Sequence, residues 1–219
     1  MGLKTMAAKI SPSPAHLCLY VGLRHTAEEL GLTGTNLWVL RDADHDGNFT
    51  RFLRDPEAPF PSVYISFPSA KDPSFQRRYP GRATIEVITL APYEWFAPWA
   101  DTRWKRRGAD YEAFKVRFAE RLLDQLYLHV PQVRGKVDYW ELSTPLSTRH
   151  FSGHPHGEMY GLSHTPERFR MRLGAQTPVR GLFLTGQDLA IAGITGALFG
   201  GLLAASAVLR RNVLREILR

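Results

Sequence analysis

Residues 189–209 carry no charged side chain, and this one run constrains the chain more than any other feature. An apolar stretch of that length either crosses a bilayer or is buried against other protein on every side. Gly196 and Gly200 supply the small-xxx-small spacing that close helix packing uses in both settings. The neighbours favour burial. Asp188 stands immediately upstream, Gly193, Gly196, Gly200 and Gly201 interrupt the run, and Arg210, Arg211, Arg215 and Arg219 follow it. Just before it, residues 181–186 (GLFLTG) read as a continuous apolar strand. The end of the chain therefore reads as strand, glycine-rich loop, and a helix starting near Gly196 whose basic tail complements the macrodipole. A membrane span is the alternative on length alone.

The remainder looks different. Residues 16–23, 37–40 and 137–142 are short apolar runs, and residues 62–67 alternate up to Pro68. Residues 83–90 (ATIEVITL) set Ile85, Val87 and Thr89 on one face, as a strand buried on at least one side requires. Between residues 110 and 130, Tyr111, Phe114, Phe118, Leu122, Leu126 and Val130 recur every three or four positions, while Lys115, Arg117, Glu120 and Arg121 fall outward. That is an amphipathic helix. Residues 151–174 are rich in His, Gly and Arg without a period and read as a long irregular connection. The fold class expected is α/β, with a mixed sheet. Residues 1–175 form one partial lobe and residues 176–219 the strand and helix of another.

Composition excludes several functions. A lone cysteine, Cys18, allows neither an internal disulfide nor a cysteine-rich zinc site, so a reducing compartment is expected. A net charge of +7 attracts anions in general without naming one. Lys4 and Lys9 followed by Pro12 and Pro14 leave no room for a signal-peptide core, and Met6 stands where myristoylation after Gly2 needs Ser or Thr. The expected location is cytoplasmic or peripheral to a membrane.

Chemistry concentrates at residues 186–196. Gly186, Asp188, Gly193 and Gly196 lie between a strand and a helix; glycines let a ligand approach main-chain N–H groups, and the carboxylate accepts hydrogen bonds from sugar or sugar-alcohol hydroxyls. A polyol-bearing cofactor fits this pattern. An ordinary strand–helix unit with Asp188 as a cap fits it as well. Asp42, Asp44, Asp46 and Gly47 resemble the first half of a calcium loop, but its twelfth position is Leu53, so a solvated acidic turn is the better reading. His150, His154 and His156 lack a carboxylate with ligand spacing, and no metal is expected. Glu158 and Tyr160 belong to the same polar stretch. The basic clusters at residues 104–108 and 168–172 have no nucleic-acid motif around them and suit solvent or an anionic lipid surface.

The segments YEWFAPW (93–99), WKRRGADYEAFK (104–115), TPL (144–146), GEMYG (157–161) and the whole of 181–209 resemble, in order, the C-terminal part of the retinol saturases. That family belongs with carotenoid isomerases and phytoene desaturases among FAD-dependent oxidoreductases. The resemblance implies that Gly186 and Asp188 meet the ribityl chain of FAD, and that the backbone of Gly193, Ile194, Thr195 and Gly196 meets the pyrimidine edge of its ring. It also implies a Rossmann-like FAD lobe, a buried final helix, and an apolar polyene substrate, a retinoid or carotenoid, receiving hydride from reduced flavin, with NAD(P)H a candidate electron source. Aromatic residues 93–99 are candidates to line the polyene slot, and Tyr160, Glu158 and His156 are candidate proton donors. Family members begin with G-x-G-x-x-G, which this sequence lacks, so the FAD site here is incomplete and an N-terminal half or an oligomer is expected to complete it.

Overall fold

The computed structural model describes residues 10–171 and 173–218; Gly2, Lys4, Met6, Lys9, Arg172 and Arg219 lie outside them. Chain contacts define two compact units, one of residues 15–157 and one combining 10–14 with 158–218. The sequence reading set its boundary at residue 175; in the smaller unit, Ser13 N–H donates to the Gly161 carbonyl and Ser163 N–H to that of Ser11, while Leu162 N–H and the Arg168 guanidinium both bond to Asp188.

The larger unit is built on five strands, β1 (His16–Leu23), β2 (Leu37–Leu40), β3 (Ser62–Ser66), β4 (Ala83–Leu90) and β5 (Val137–Ser143), in the order β2-β3-β4-β1-β5. Every adjacent pair is antiparallel, so the sheet is antiparallel where a mixed one was expected; strand-like side-chain patterns do not encode strand direction. Period two decides which side chains enter the core. Ala83, Ile85, Val87 and Thr89 of β4 are buried, and Leu17, Leu19, Val21 and Leu23 of β1 share their face.

Four helices lie between these strands in chain order: α1 (His45–Arg54), α2 (Pro68–Lys71), α3 (Phe75–Arg78) and α4 (Ala109–His129). The amphipathic α4 buries Tyr111, Phe118, Leu122 and Leu126 in the core shared with the sheet. Arg121, expected on its outer face, is half-buried: its guanidinium donates to the carbonyls of Pro56 and Ala58 and lies over the Phe60 ring. Two 3-10 turns, Tyr93–Trp95 and Ala97–Trp99, carry the aromatic cluster. Trp95 stacks on Phe118, Phe96 is fully buried and Trp99 packs edge-on to Tyr111. Phe96 thus joins the core, while Tyr93, Trp95 and Trp99 are partly buried and packed against it, drawn in by the apolar face of α4.

Two local expectations change. The acidic run is the start of α1: Asp44 Oδ1 accepts from Gly47 N–H at 3.0 Å, and Asp42 accepts from Asp44 N–H and from the Asn48 side chain. Asp satisfies orphan helix donors here instead of an ion. Within 151–174, the connection starts on a helix, α5 (Pro145–Ser152), which begins with a Thr144/Ser147 capping box and Pro145 in its first turn. His150 of α5 stacks on Trp104 at 5.1 Å, with Phe151 edge-on to both.

The smaller unit contains α6 (Pro166–Arg170), α7 (Gly193–Leu209) and α8 (Val213–Ile217). Residues 181–186 do not form the expected strand. They make a single bridge, Gln176 with Phe183, and Leu184 N–H donates to the Ala175 carbonyl. A strand exists only where a neighbour accepts its hydrogen bonds, and the described residues supply one short hairpin arm. Helix α7 starts three residues before the expected Gly196 and is not buried. Only Gly196 and Gly200 are, while Ile194 is 92% exposed and Leu198 65%. Among the described residues, no helix is long and apolar enough to cross a membrane.

Candidate functional site

The six residues predicted to meet a cofactor lie on one loop and the first turn of α7. Gly186 (φ +94°) and Gly193 (φ +85°) occupy the left-handed region that side chains avoid, and a Cβ placed on either would meet nothing. Open space therefore stands beside both. A 3-10 turn, Gln187–Leu189, joins them, and the Gln187 side-chain oxygen accepts from Gly193 N–H at 2.8 Å. The next amides of α7, at Ile194 and Thr195, have no acceptor within their own helix, and the N-cap residue, Ala192, has no side-chain acceptor to offer them. The first turn thus offers main-chain donors at the positive end of the dipole on an exposed surface.

Gly196 is different. A Cβ there would overlap the Ile191 carbonyl oxygen, and one on Gly200 would overlap that of Gly186. These glycines let α7 lie directly on the backbone of residues 186–191, so Gly196 faces its own loop. It shapes the cradle and presents no surface to a ligand.

Asp188 is half-buried and faces inward. Its Oδ1 accepts from Leu162 N–H at 3.0 Å, and Gly161 (φ +72°) is pressed against the carboxylate, where a Cβ would come within 2.7 Å of Oδ1. The main-chain carbonyl of Asp188 accepts from the Arg168 guanidinium. The GEMYG segment is thereby tied to the glycine loop: Glu158 is buried, Tyr160 N–H donates to the Ser13 hydroxyl, and Gly161 leaves room for Asp188. Sequence reasoning missed Arg168, Leu162 and Gln187. Arg168 stood in an apparent basic cluster whose other members, Phe169 and Arg170, are exposed, and main-chain donors such as Leu162 N–H leave no trace in side-chain type.

The histidines do not converge on an ion. His150 stacks on Trp104 and His156 lies edge-on to Tyr93 at 5.5 Å. Among the described residues no group of three His, Cys, Asp or Glu side chains could hold a metal. Cys18 is buried beside Tyr20, and desolvation pushes its thiol up to about 12.

No family model matches the chain. It is 35% identical over 224 residues to all-trans-retinol 13,14-reductase of Macaca fascicularis, covering 99% of this chain and 37% of that protein. A Danio rerio protein of the same name is 36% identical over 205 residues, covering 90% of this chain and 34% of its own length. A second Danio rerio relative, called inactive all-trans-retinol 13,14-reductase, is 33% identical over 210 residues, or 92% and 34%. The chain thus spans little more than a third of the length of the relatives it matches.

Proposed function

We propose, from the premise that this chain is retinol saturase-like along nearly its whole length, that it contributes the ring-proximal part of a flavin site in an oxidoreductase that saturates a C=C bond of a retinoid or another conjugated polyene. The observation that carries this reading is the open space at Gly186 and Gly193, next to a helix start whose Ile194 and Thr195 amides have no acceptor in their own helix and to an inward-facing acid. The residues present fit a flavin. The exposed amides of Ile194 and Thr195 would meet the electron-rich pyrimidine edge, and Gly186 with Asp188 the ribityl hydroxyls. Gly196 sets the path of the loop in place of a contact. When bound, the flavin supplies the hydride; this chain holds and orients the ring. NAD(P)H is the proposed electron source and FAD the proposed coenzyme. A carotenoid isomerase or desaturase would use the same loop with a longer polyene.

A second reading, a non-catalytic chain that binds apolar ligand or a partner, draws on the exposed Ile194, Leu198 and Leu203 of α7 and on the short share of its relatives that the chain covers. Peripheral membrane contact is proposed for the surface of Trp104, Lys105 and Phe151, where an exposed aromatic and a cation lie together.

Flavin titration separates the main readings. Bound flavin with visible absorbance, weakened by Asp188→Asn, supports the oxidoreductase; a chain that stays colourless in excess FAD and riboflavin refutes it. Incubating the flavin-loaded protein with retinol and with a carotene, under reducing conditions, then identifies the polyene from the product.

A further inference from the structure

Two buried polar atoms of the smaller unit have no hydrogen-bond partner: Arg168 Nε and His164 Nε2. They lie four residues apart, and both groups pack on Phe169, the guanidinium carbon 5.8 Å from its ring centroid and the imidazole edge-on at 5.7 Å. Arg168 is only 3% exposed. A guanidinium remains protonated at every accessible pH, so this is a full positive charge inside the protein. None of the ion pairs among the described residues includes it. The adjacent Glu167 reaches out to Arg170, the Asp188 carboxylate accepts from Leu162 N–H, and among the described residues the Arg168 guanidinium donates to the Asp188 carbonyl.

A buried cation with one neutral acceptor is disfavoured against a hydrocarbon of the same shape, and a buried donor left unpaired adds to the deficit. Unsatisfied groups of this kind mark places where a ligand completes the hydrogen bonding. Both groups flank the start of the short α6: Thr165 caps it by accepting from Arg168 N–H, and the Arg168 guanidinium reaches the Asp188 carbonyl on the glycine loop.

We infer that Arg168 and His164 form a binding site for an anionic oxygen acceptor on the side of the loop that carries Asp188. This rests on the flavin reading in that the acceptor belongs to the coenzyme, as a phosphate or as the pyrimidine-edge oxygen that gains charge on reduction. Arg168 Nε–H donates to that oxygen and His164 Nε2 donates beside it. The Asp188 carbonyl fixes the guanidinium, so Arg168 also positions the loop.

The test uses the full chain in four variants, Arg168→Met, Arg168→Lys, His164→Gln and Asp188→Asn, against wild type. Thermal melts with and without inorganic pyrophosphate read the phosphate source, and riboflavin fluorescence titration reads the ring edge. One charge-assisted hydrogen bond corresponds to about tenfold in affinity. Support is a pyrophosphate-induced rise in melting temperature that Arg168→Met abolishes, or a loss of about tenfold in riboflavin affinity in Arg168→Met. Arg168→Lys should be impaired less, as it keeps the charge, and His164→Gln should retain part of the effect. Unchanged binding in folded Arg168→Met, with flavin lost only in Asp188→Asn, overturns the inference and leaves the flavin reading standing. Absence of both pyrophosphate and riboflavin binding in wild type overturns both. If Arg168→Met does not fold, Arg168→Lys and His164→Gln carry the same comparison, and equal binding in both overturns the inference.

Discussion

Helix α7 rests on the loop through two glycines, and adding one methyl group at each tests that arrangement. A Cβ on Gly196 would lie at less than half of the 3.0 Å that real Cβ atoms keep, and the obstacle is the Ile191 main chain, which cannot swing aside. A Cβ on Gly200 would lie at two thirds of that distance from the Gly186 carbonyl oxygen. To restore that distance the helix must retreat by about 1.6 Å at Gly196 or about 1.0 Å at Gly200, or the loop must open, at about 1–3 kcal/mol or more for overpacking. Against this, Gly→Ala inside a helix gains about 1 kcal/mol of intrinsic propensity. Gly201 is the internal control: it is exposed, with nothing near its would-be Cβ, so Gly201→Ala should stabilise by about 0.5–1 kcal/mol. Gly200→Ala and Gly196→Ala should therefore lie about 1–3 kcal/mol below Gly201→Ala, with Gly196→Ala lowest. Amide hydrogen exchange across residues 193–209 measures this directly, because it reports opening of that helix without requiring the whole chain to melt. Equal protection in all three variants would refute the packing argument.

Three further outcomes follow from the larger unit. Burial lowers the pKa of His16 below 6.5, so its contribution to stability is complete above pH 6.5 and declines as pH falls toward the depressed folded value; denaturant melts at pH 7 and 5 should show this loss, and His16→Gln should remove it. Cys18, buried and held near 12, should resist iodoacetamide at pH 8 in the folded chain and react once it is unfolded, so rapid native labelling would contradict its placement. Thr144→Val removes both the α5 cap and the 2.8 Å hydrogen bond with the Tyr111 hydroxyl, and should cost about 1–3 kcal/mol in urea, with Thr144→Ser retaining most of it.

The strands were legible because period two and period 3.6 leave marks in side-chain type: β1, β2 and β4 begin and end where the runs of hydrophobic residues do, and α4 differs by a single residue at its ends. Helix α5 was hidden behind polar residues, although Thr144-Pro145 with Ser147 is a start signal in its own right. The segment 181–186 misled for the opposite reason. Its side chains suit a strand, but a strand also needs a neighbour, and neighbours are not written in the segment itself. In the candidate site, the turns at Gly186 and Gly193 could be read from composition. The direction of Gly196 and the reach of Arg168 depend on main-chain proximity, which residue type does not encode.

The apolar hairpin arm at residues 181–186 should behave in solution like one half of a zipper. Among the described residues the arm makes a single bridge and a few main-chain bonds, and Gly181, Leu182 and Thr185 are exposed, where an extended segment can pair. Expressed by itself, the protein should tend to self-associate through that edge, and a short synthetic complement should both suppress the association and slow deuterium uptake there.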